Sequence, residues 1–190
     1  MPRPWAGMAG IDTSIMATKK KTASPGIKPV YKSPASLLPW FGIALAIILL
    51  DQFTKLAVER SFTYGETLPM TGFFNLIKVY NPGAAFSFLG DAGGWQRYFF
   101  TAIAFVAVGF MLYLMKKHAN QRLFCFALAL LMGGAIGNVI DRMAYGHVID
   151  FLDFYWRGVG HFPAFNIADI SISIGAFLFI LDELRRVNKS

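Results

Sequence analysis

Four long apolar stretches, separated by polar segments, dominate the pattern of the chain. Residues 33–50, 98–115 and 123–140 carry no charge, and residues 162–181 carry only Asp169. Eighteen helical residues cover about 27 Å, which is close to the thickness of the hydrocarbon core of a bilayer. None of the stretches alternates with the two-residue period of a barrel strand. The pattern therefore predicts four transmembrane helices, over about residues 37–58, 96–116, 121–141 and 166–186.

The composition also indicates a membrane protein. Of the 190 residues, 55% are hydrophobic and only 15% are charged, whereas a soluble domain is about 25% charged. The net charge of +7 could suggest a nucleic-acid partner, but its distribution argues otherwise. Twelve of the eighteen Lys and Arg residues lie on the side of the termini, and eight of the eleven acids lie on the other side. By the positive-inside rule both termini are expected in the cytoplasm, and no nucleic-acid partner is expected.

The chain divides into two regions. Residues 1–35, which contain Lys-, Pro- and Ser-rich stretches, are expected to form a flexible basic cytoplasmic tail. The part before Met16 is interpreted as an expression remnant or an upstream start. Residues 36–190 are expected to form one four-helix membrane domain. Its first helix is interpreted as an uncleaved anchor, because no small-residue cleavage site follows it.

The two outer connections hold the remaining elements. Phe73–Tyr80 has β-type residues with partial alternation and is followed by Asn81-Pro82-Gly83, which predicts a short strand or hairpin at the membrane surface. The shorter connection, about residues 143–165, is rich in aromatic residues and is expected at the membrane interface. The predicted fold is therefore an all-α polytopic membrane protein, with four transmembrane helices and a small cradle of strands and loops on the outer side.

Polar residues gather at the outer ends of the predicted helices, where the cost of burying them makes each a candidate for function. The first helix is expected to terminate at Asp51, Gln52 and Lys55. On the third helix the polar residues are three or four positions apart and share one face. The further candidates, on the third and fourth helices and between them, are Gly133, Gly134, Gly137, Asn138, Asp141, Arg142, Asp150, Asn166 and Asp169. We expect all of these residues to converge on one site at the outer interface.

The reactive groups expected at this site are aspartate carboxylates. The sequence has no G-x-S-x-G and no H-E-x-x-H motif, but two aspartates that share a proton can activate water for peptide hydrolysis without a cofactor. Asp169 is one expected member, because it lies inside a span with no cation three or four residues away. Its partner stays open among Asp141, Asp150 and Asp153. The alternatives are a proton or cation carrier, with Asp51, Asp141 and Asp169 as relay groups, and an assembly or chaperone subunit without chemistry.

Four sequence motifs narrow this choice. They are Asp51-Gln52-Phe53-Thr54-Lys55, Asn81-Pro82-Gly83-Ala84-Ala85-Phe86-Ser87, residues 133–142 (GGAIGNVIDR) continuing to Val148-Ile149-Asp150-Phe151, and Phe165-Asn166-Ile167-Ala168-Asp169-Ile170. With these motifs in this order and spacing, over about residues 37–187, the chain resembles bacterial lipoprotein signal peptidase (signal peptidase II), a family of intramembrane aspartyl endopeptidases.

The resemblance implies roles for individual residues. Asp150 and Asp169 match the catalytic pair of the family. The polar residues that orient the substrate backbone and the pair are matched by Asn81, Asn138, Arg142 and Asn166. Two further family positions, with a structural or substrate-facing role, are matched by Asp51 and Gly134.

The resemblance also implies a substrate, partners and a location. The family's substrate is a prolipoprotein whose Cys carries diacylglycerol, and the cut falls on the N-terminal side of that Cys. No metal and no cofactor are expected, membrane lipid is an expected partner, and cyclic peptide antibiotics that mimic the substrate are expected inhibitors. The expected location is the bacterial inner membrane, with the active site facing the periplasm, and nothing requires more than a monomer.

Overall fold

The computed structural model describes residues 36–83 and 95–188. The predicted flexible tail, residues 1–35, lies outside the described residues, as do residues 84–94 and 189–190. The second half of the Asn81–Ser87 motif, from Ala84 onwards, therefore also lies outside them.

Four long helices match the four predicted ones. They are α1 (Leu38–Ser61), α2 (Gln96–Lys117), α3 (Arg122–Tyr145) and α4 (Ile167–Val187). The helix α3 ends later than predicted, because Gly146 adopts the left-handed conformation (φ 82°) that closes a helix C-terminus. The expectation that α1 terminates at Asp51 to Lys55 is wrong, since the helix continues to Ser61 and this motif lies within it.

Three of these helices are long and apolar enough to cross a membrane. Among the described residues, these are α1, α2 and α3. The helix α4 has a shorter uncharged stretch than the other three helices, because charged residues lie near both of its ends. Asp169 is in the first turn, and four charged residues lie toward the C-terminus. Those four are Asp182, Glu183, Arg185 and Arg186.

The helix α3 lies at the centre of the bundle, packed against α1, α2 and α4. Its apolar residues form a core with Met115 of α2 and Ala44 of α1. Two glycines of α3 allow the neighbouring helices to come close. A Cβ atom on Gly133 would lie 2.9 Å from the Cβ of Ile47, and a Cβ atom on Gly134 would overlap the carbonyl oxygen of Ala168. These glycines therefore fix the approach of α1 and α4 to α3.

The segments between α1 and α2 and between α3 and α4 form a four-stranded antiparallel sheet, in the order β1-β2-β3-β4. Its strands are β1 (Thr67–Pro69), β2 (Phe74–Asn81), β3 (Val148–Trp156) and β4 (Gly160–His161). The predicted strand at residues 73–80 is confirmed as β2. The sequence pattern did not indicate β3, because its first four residues are all buried and so do not alternate.

An irregularity in the pairing of β2 with β3 lies next to the candidate residues. Leu76 pairs with Leu152, but Val79 pairs with Asp150, so β2 uses one residue more than β3 between these pairs. Such a bulge increases local twist and changes the direction of the strand. Since β3 begins three residues after α3 ends, the strand carries Asp150 back toward the end of the helix bundle.

Replacing Gly134 with Ala tests the close contact between α3 and α4. The added methyl group would meet the Ala168 carbonyl oxygen, so we expect Gly134→Ala to lower the free energy of unfolding by about 1–3 kcal/mol. The matched control is Gly109→Ala in α2, where the added methyl group would have no neighbouring segment within 4 Å among the described residues. Thermal unfolding of both purified variants in one detergent measures the difference, and equal midpoints would contradict the contact.

Candidate active site

Asp150 is a buried carboxylate at the start of β3. Its side chain is only 2% exposed. Its Oδ1 atom accepts a hydrogen bond of 2.7 Å from the Nδ2 of Asn166, and its Oδ2 atom accepts one of 3.0 Å from the Nδ2 of Asn81. Asn81 reaches it from the last position of β2, which pairs with Val148 in β3. Both oxygens of the carboxylate are therefore oriented by amide donors from different parts of the chain.

Asp169 belongs to the first turn of α4. The backbone N–H of Asn166 donates to its Oδ2 atom (3.2 Å), while its own backbone N–H donates to the Oδ1 of Asn166 (3.0 Å). These two reciprocal bonds form a capping box, which explains why the helix begins here. The Nδ2 of Asn138 donates to the remaining oxygen of Asp169 at 2.8 Å. The N-terminal end of a helix also favours a negative charge at this position.

Asn166 joins the two carboxylates. Its amide nitrogen donates to Asp150 and its amide oxygen accepts from the backbone of Asp169, and the residue is fully buried. Burial and the nearby charge of Asp169 raise the pKa of Asp150 to about 7, although hydrogen bonds from Asn81 and Asn166 and the charge of Lys55 act in the opposite direction. Asp150 is therefore a carboxyl group that can gain or lose a proton near neutral pH.

The other two candidate partners for Asp169 have different surroundings. Asp141 is fully buried against Lys55, with 2.9 Å between its Oδ2 atom and the Nζ. Asp153 lies in the sheet, where its Oδ2 accepts from the Nδ2 of Asn75 at 2.7 Å and His161 lies 2.9 Å away. Among the described residues, Asp150 is the candidate that a single side chain joins to Asp169.

A second group of polar side chains, three of them charged and buried, lies beside the pair, and we call it the Lys55 cluster. It consists of Asp51, Gln52, Lys55 and Asp141. The Lys55 Nζ is 2.9 Å from Asp51 Oδ2 as well as from Asp141, and Gln52 donates to Asp141 Oδ1 at 2.9 Å. The sequence motif contains Lys55, but the sequence analysis did not predict that Lys55 pairs with buried carboxylates. The spacing of Asp51 and Lys55, which are one helical turn apart, could have indicated the ion pair.

Arg142 follows Asp141 on α3 and lies within the field of the same carboxylates. The charges of Asp169, Asp150 and Asp141 all act on its guanidinium group. Its Nη1 donates to the Asn138 carbonyl oxygen at 3.3 Å, whereas its buried Nε has no hydrogen-bond partner among the described residues. Arg142 therefore retains a donor beside the carboxylates.

Two openings adjoin these residues. A cavity of about 240 Å³ lies beside Arg142 and is also lined by Arg97, Tyr98, Thr101 and Met143. A groove of about 350 Å³ reaches Asp169, and its other lining residues are Phe162, Phe165, Ile170, Ser173 and Ile174. The groove is mostly apolar, so Asp169 is accessible from a surface that suits an apolar chain.

The remaining candidates are placed as follows. Asp51 belongs to the Lys55 cluster. Gly134 packs against Ala168 in the first turn of α4 and does not line either of the openings described above. Within residues 36–83 and 95–188, no group of three or more His, Cys, Asp or Glu side chains is arranged to hold a metal ion.

Three helices apolar enough to cross a membrane, with two aspartates that Asn166 contacts near their ends, define a membrane protein with a polar site at one end of its helix bundle. Residues 43–185 match the family model described as Signal peptidase (SPase) II, which covers most of the chain. The chain therefore belongs to the signal peptidase II family of proteases.

Curated relatives and solved structures agree with this assignment. A lipoprotein signal peptidase of Cupriavidus necator is 55% identical over 175 residues, covering 92% of this chain and 99% of the relative. One from Janthinobacterium sp. (strain Marseille) is 63% identical over 162 residues, covering 85% and 98%. A bacterial membrane enzyme solved by the in meso method at 2.3 Å resolution is 32% identical, with a TM-score of 0.71 over 80% of this chain and 91% of that one.

Two substitutions of Asn166 separate its role in capping α4 from its bond to Asp150. Both Asn166→Ser and Asn166→Ala remove the amide donor to Asp150, but only Ser keeps an oxygen that can cap the helix. We expect the Ala variant to be less stable than the Ser variant by about 1 kcal/mol, measured as the free energy of unfolding in detergent. Equal stability of the two variants would mean that the capping box contributes nothing.

Proposed function

We propose that this protein is an aspartyl endopeptidase that removes the signal peptide from prolipoproteins, cutting on the N-terminal side of the diacylglyceryl-modified Cys. Asp150 and Asp169 are the proposed catalytic pair. The observation that carries the proposal is the bridge through Asn166, together with a pKa of about 7 for Asp150. Relatives named lipoprotein signal peptidases, nearly all of whose length this chain covers, support the choice of substrate.

The proposed mechanism uses one proton on the pair. The carboxylate of Asp169, at the start of α4, takes a proton from a water molecule, and the resulting hydroxide attacks the scissile carbonyl carbon. Protonated Asp150 donates to the carbonyl oxygen and, after the intermediate forms, a proton from the pair passes to the leaving amine. Asn138, Asn81 and Asn166 hold the carboxyl oxygens in place for both steps.

Arg142 and the groove are proposed to bind the substrate. The guanidinium group of Arg142, which lines the cavity of about 240 Å³, can donate to a peptide carbonyl or to the developing oxyanion, a contact that contributes about 2–4 kcal/mol in comparable sites. The apolar groove beside Asp169 offers a place for an apolar segment of the substrate. A substrate that carries lipid can in this way reach the pair from the membrane.

The proposed membrane arrangement has four spans. The helix α4 packs along α3, and its uncharged part, residues 170–181, covers about 18 Å. With α4 as the fourth span, both termini lie in the cytoplasm, in agreement with the distribution of Lys and Arg. The site then faces the periplasm from the bacterial inner membrane. We also propose that the protein acts as a monomer, contacts membrane lipid and is inhibited by substrate-like cyclic peptide antibiotics.

Replacing either aspartate by Asn tests the catalytic pair. Asn keeps the shape of the side chain but cannot take up or release the proton, so Asp150→Asn and Asp169→Asn should each lower kcat by about 10³-fold or more. The assay follows cleavage of a diacylglyceryl-modified precursor by purified protein in detergent, beside the same precursor without lipid. We expect cleavage of the lipidated form alone.

Asp153→Asn is the matched control, because Asp153 is a buried carboxylate on the same strand that bonds to Asn75 and His161 instead. Its kcat should stay within about tenfold of the wild-type value, because this substitution affects the stability of the fold and leaves the chemical step intact. Turnover retained by a folded Asp150→Asn or Asp169→Asn variant would refute the pair. Equal cleavage of both precursors would refute the preference for lipidated substrate.

The dependence of activity on pH follows from the raised pKa of Asp150. Below about pH 7 the pair keeps its proton, whereas above it Asp150 ionises and the acid is lost, so kcat/KM should fall on the alkaline side with an apparent pKa near 7. Initial rates between about pH 5 and 9 measure this fall in kcat/KM. Because a histidine could titrate in the same pH range, the controls are His147→Gln and His161→Gln, and both variants should still show the fall. A rate that rises through pH 7 to 9 would contradict the assignment.

A further inference from the structure

Lys55 is a fully buried lysine that has no direct contact with either proposed catalytic carboxylate. It is 1% exposed and stands in α1, which contributes no member of the pair. An ammonium group has three N–H donors and no acceptor. Around Lys55 there are three acceptors, and each lies 2.9 Å from the Nζ: Asp51 Oδ2, Asp141 Oδ2 and Asn138 Oδ1.

Each of these three acceptors leads to the carboxylate pair. Asp51 uses its other oxygen to accept a 2.9 Å bond from the backbone N–H of Ala168, the residue before Asp169. Asp141 accepts a 3.1 Å bond from the backbone N–H of Ile149, the residue before Asp150. The backbone on the N-terminal side of both aspartates is therefore tied to the two anions that Lys55 neutralises.

The third contact acts on Asp169 itself. Asn138 donates from Nδ2 to Asp169 while its Oδ1 accepts from Lys55. Because a lysine can only donate, Lys55 holds the amide oxygen of Asn138 toward itself and the amide nitrogen toward Asp169, and the Nδ2 of Asn166 adds a longer 3.3 Å bond to the same oxygen. With the amide reversed, an oxygen would face the carboxylate and repel it.

We propose that Lys55 is a positioning residue for the carboxylate pair. Through Asp51, Asp141 and Asn138 it holds the two carboxylates in a fixed position relative to each other. The inference rests on the proposed function, since it assigns a role in the same reaction. Lys55 sets the separation of α4 and β3 at the level of the pair and orients the donor to Asp169. Removal of the Lys55 ammonium group should impair the chemical step more than substrate binding, because Lys55 does not line the cavity beside Arg142 or the groove beside Asp169.

The first test is Lys55→Met, which keeps most of the length of the side chain and removes its charge. We expect kcat for the lipidated precursor to fall by about 10–100-fold, as small displacements of catalytic groups do, with KM changed less than about twofold. The variant should also unfold at a lower temperature, because two buried carboxylates lose their cation.

A neutral version of the cluster separates positioning from charge balance. The triple variant Asp51→Asn, Lys55→Met, Asp141→Asn leaves no charge of the cluster uncompensated, and its amide oxygens can still accept from the backbone of Ala168 and Ile149. We expect it to recover most of the unfolding midpoint but not kcat, since the amide oxygen of Asn138 loses its 2.9 Å bond from Lys55 and keeps only the longer 3.3 Å bond from the Nδ2 of Asn166. It also keeps the inference testable if Lys55→Met alone does not fold.

Lys78→Met is the matched control. Lys78 is a second buried lysine, 3.2 Å from Glu59 and bonded to the carbonyl oxygens of Glu59 and Phe62. Its loss should lower the unfolding midpoint without the selective fall in kcat that we expect for Lys55→Met.

Two results would overturn the inference. One is a kcat for Lys55→Met equal to that of the wild type, and the other is a triple variant that recovers kcat together with stability, which would make Lys55 only a counter-ion. These results differ from a failure of the proposed function. In that case the wild type itself would not cleave the lipidated precursor, or the Asp150→Asn and Asp169→Asn variants would remain active.

Discussion

Burial of charge among apolar helices is the constraint on which the end of the helix bundle next to the sheet depends. A buried carboxylate or ammonium group is stable only when its partners are close and its hydrogen-bonding atoms are satisfied. Lys55 meets this condition with three acceptors from two helices. The same condition ties the first residues of α4 and β3 to the cluster, because Asp51 Oδ1 accepts from the backbone N–H of Ala168 and Asp141 Oδ2, which also contacts Lys55, accepts from that of Ile149. Helix packing and site geometry therefore have one common cause.

The local elements were predictable from the sequence. Long uncharged stretches locate helices, so the four helices were found to within a few residues, and β-type residues before Asn81-Pro82-Gly83 located β2. The polar residues on one face of α3 indicated the position of the site. The lengths of α1 and α3 were less accessible, because a helix can continue past its apolar stretch when its polar residues find partners in tertiary contacts, as Asp51 and Lys55 do.

Contacts between distant segments were not predictable from local pattern. The strand β3 is defined by its pairing with β2, an element far earlier in the chain, and its buried first half lacks the alternation of a half-exposed strand. The residues alone favoured Asp169 but left its partner open, since the choice depends on which side chain Asn166 reaches. The family resemblance supplied Asp150. The role of Lys55 required the positions of three acceptors, two of which come from a different helix.

The capping box of α4 has a consequence for the order of events during synthesis. The Asn166 side chain caps the helix through its Oδ1 atom and donates to Asp150 through its Nδ2 atom. A chain that has been made only as far as β3 contains one half of the pair and none of the bridge. Even after α4 has been added, the two carboxylates come together only when its first turn is formed and docked against α3. Under the proposed function, a growing or partly inserted chain therefore has no assembled catalytic pair with which to act on neighbouring polypeptides in the membrane.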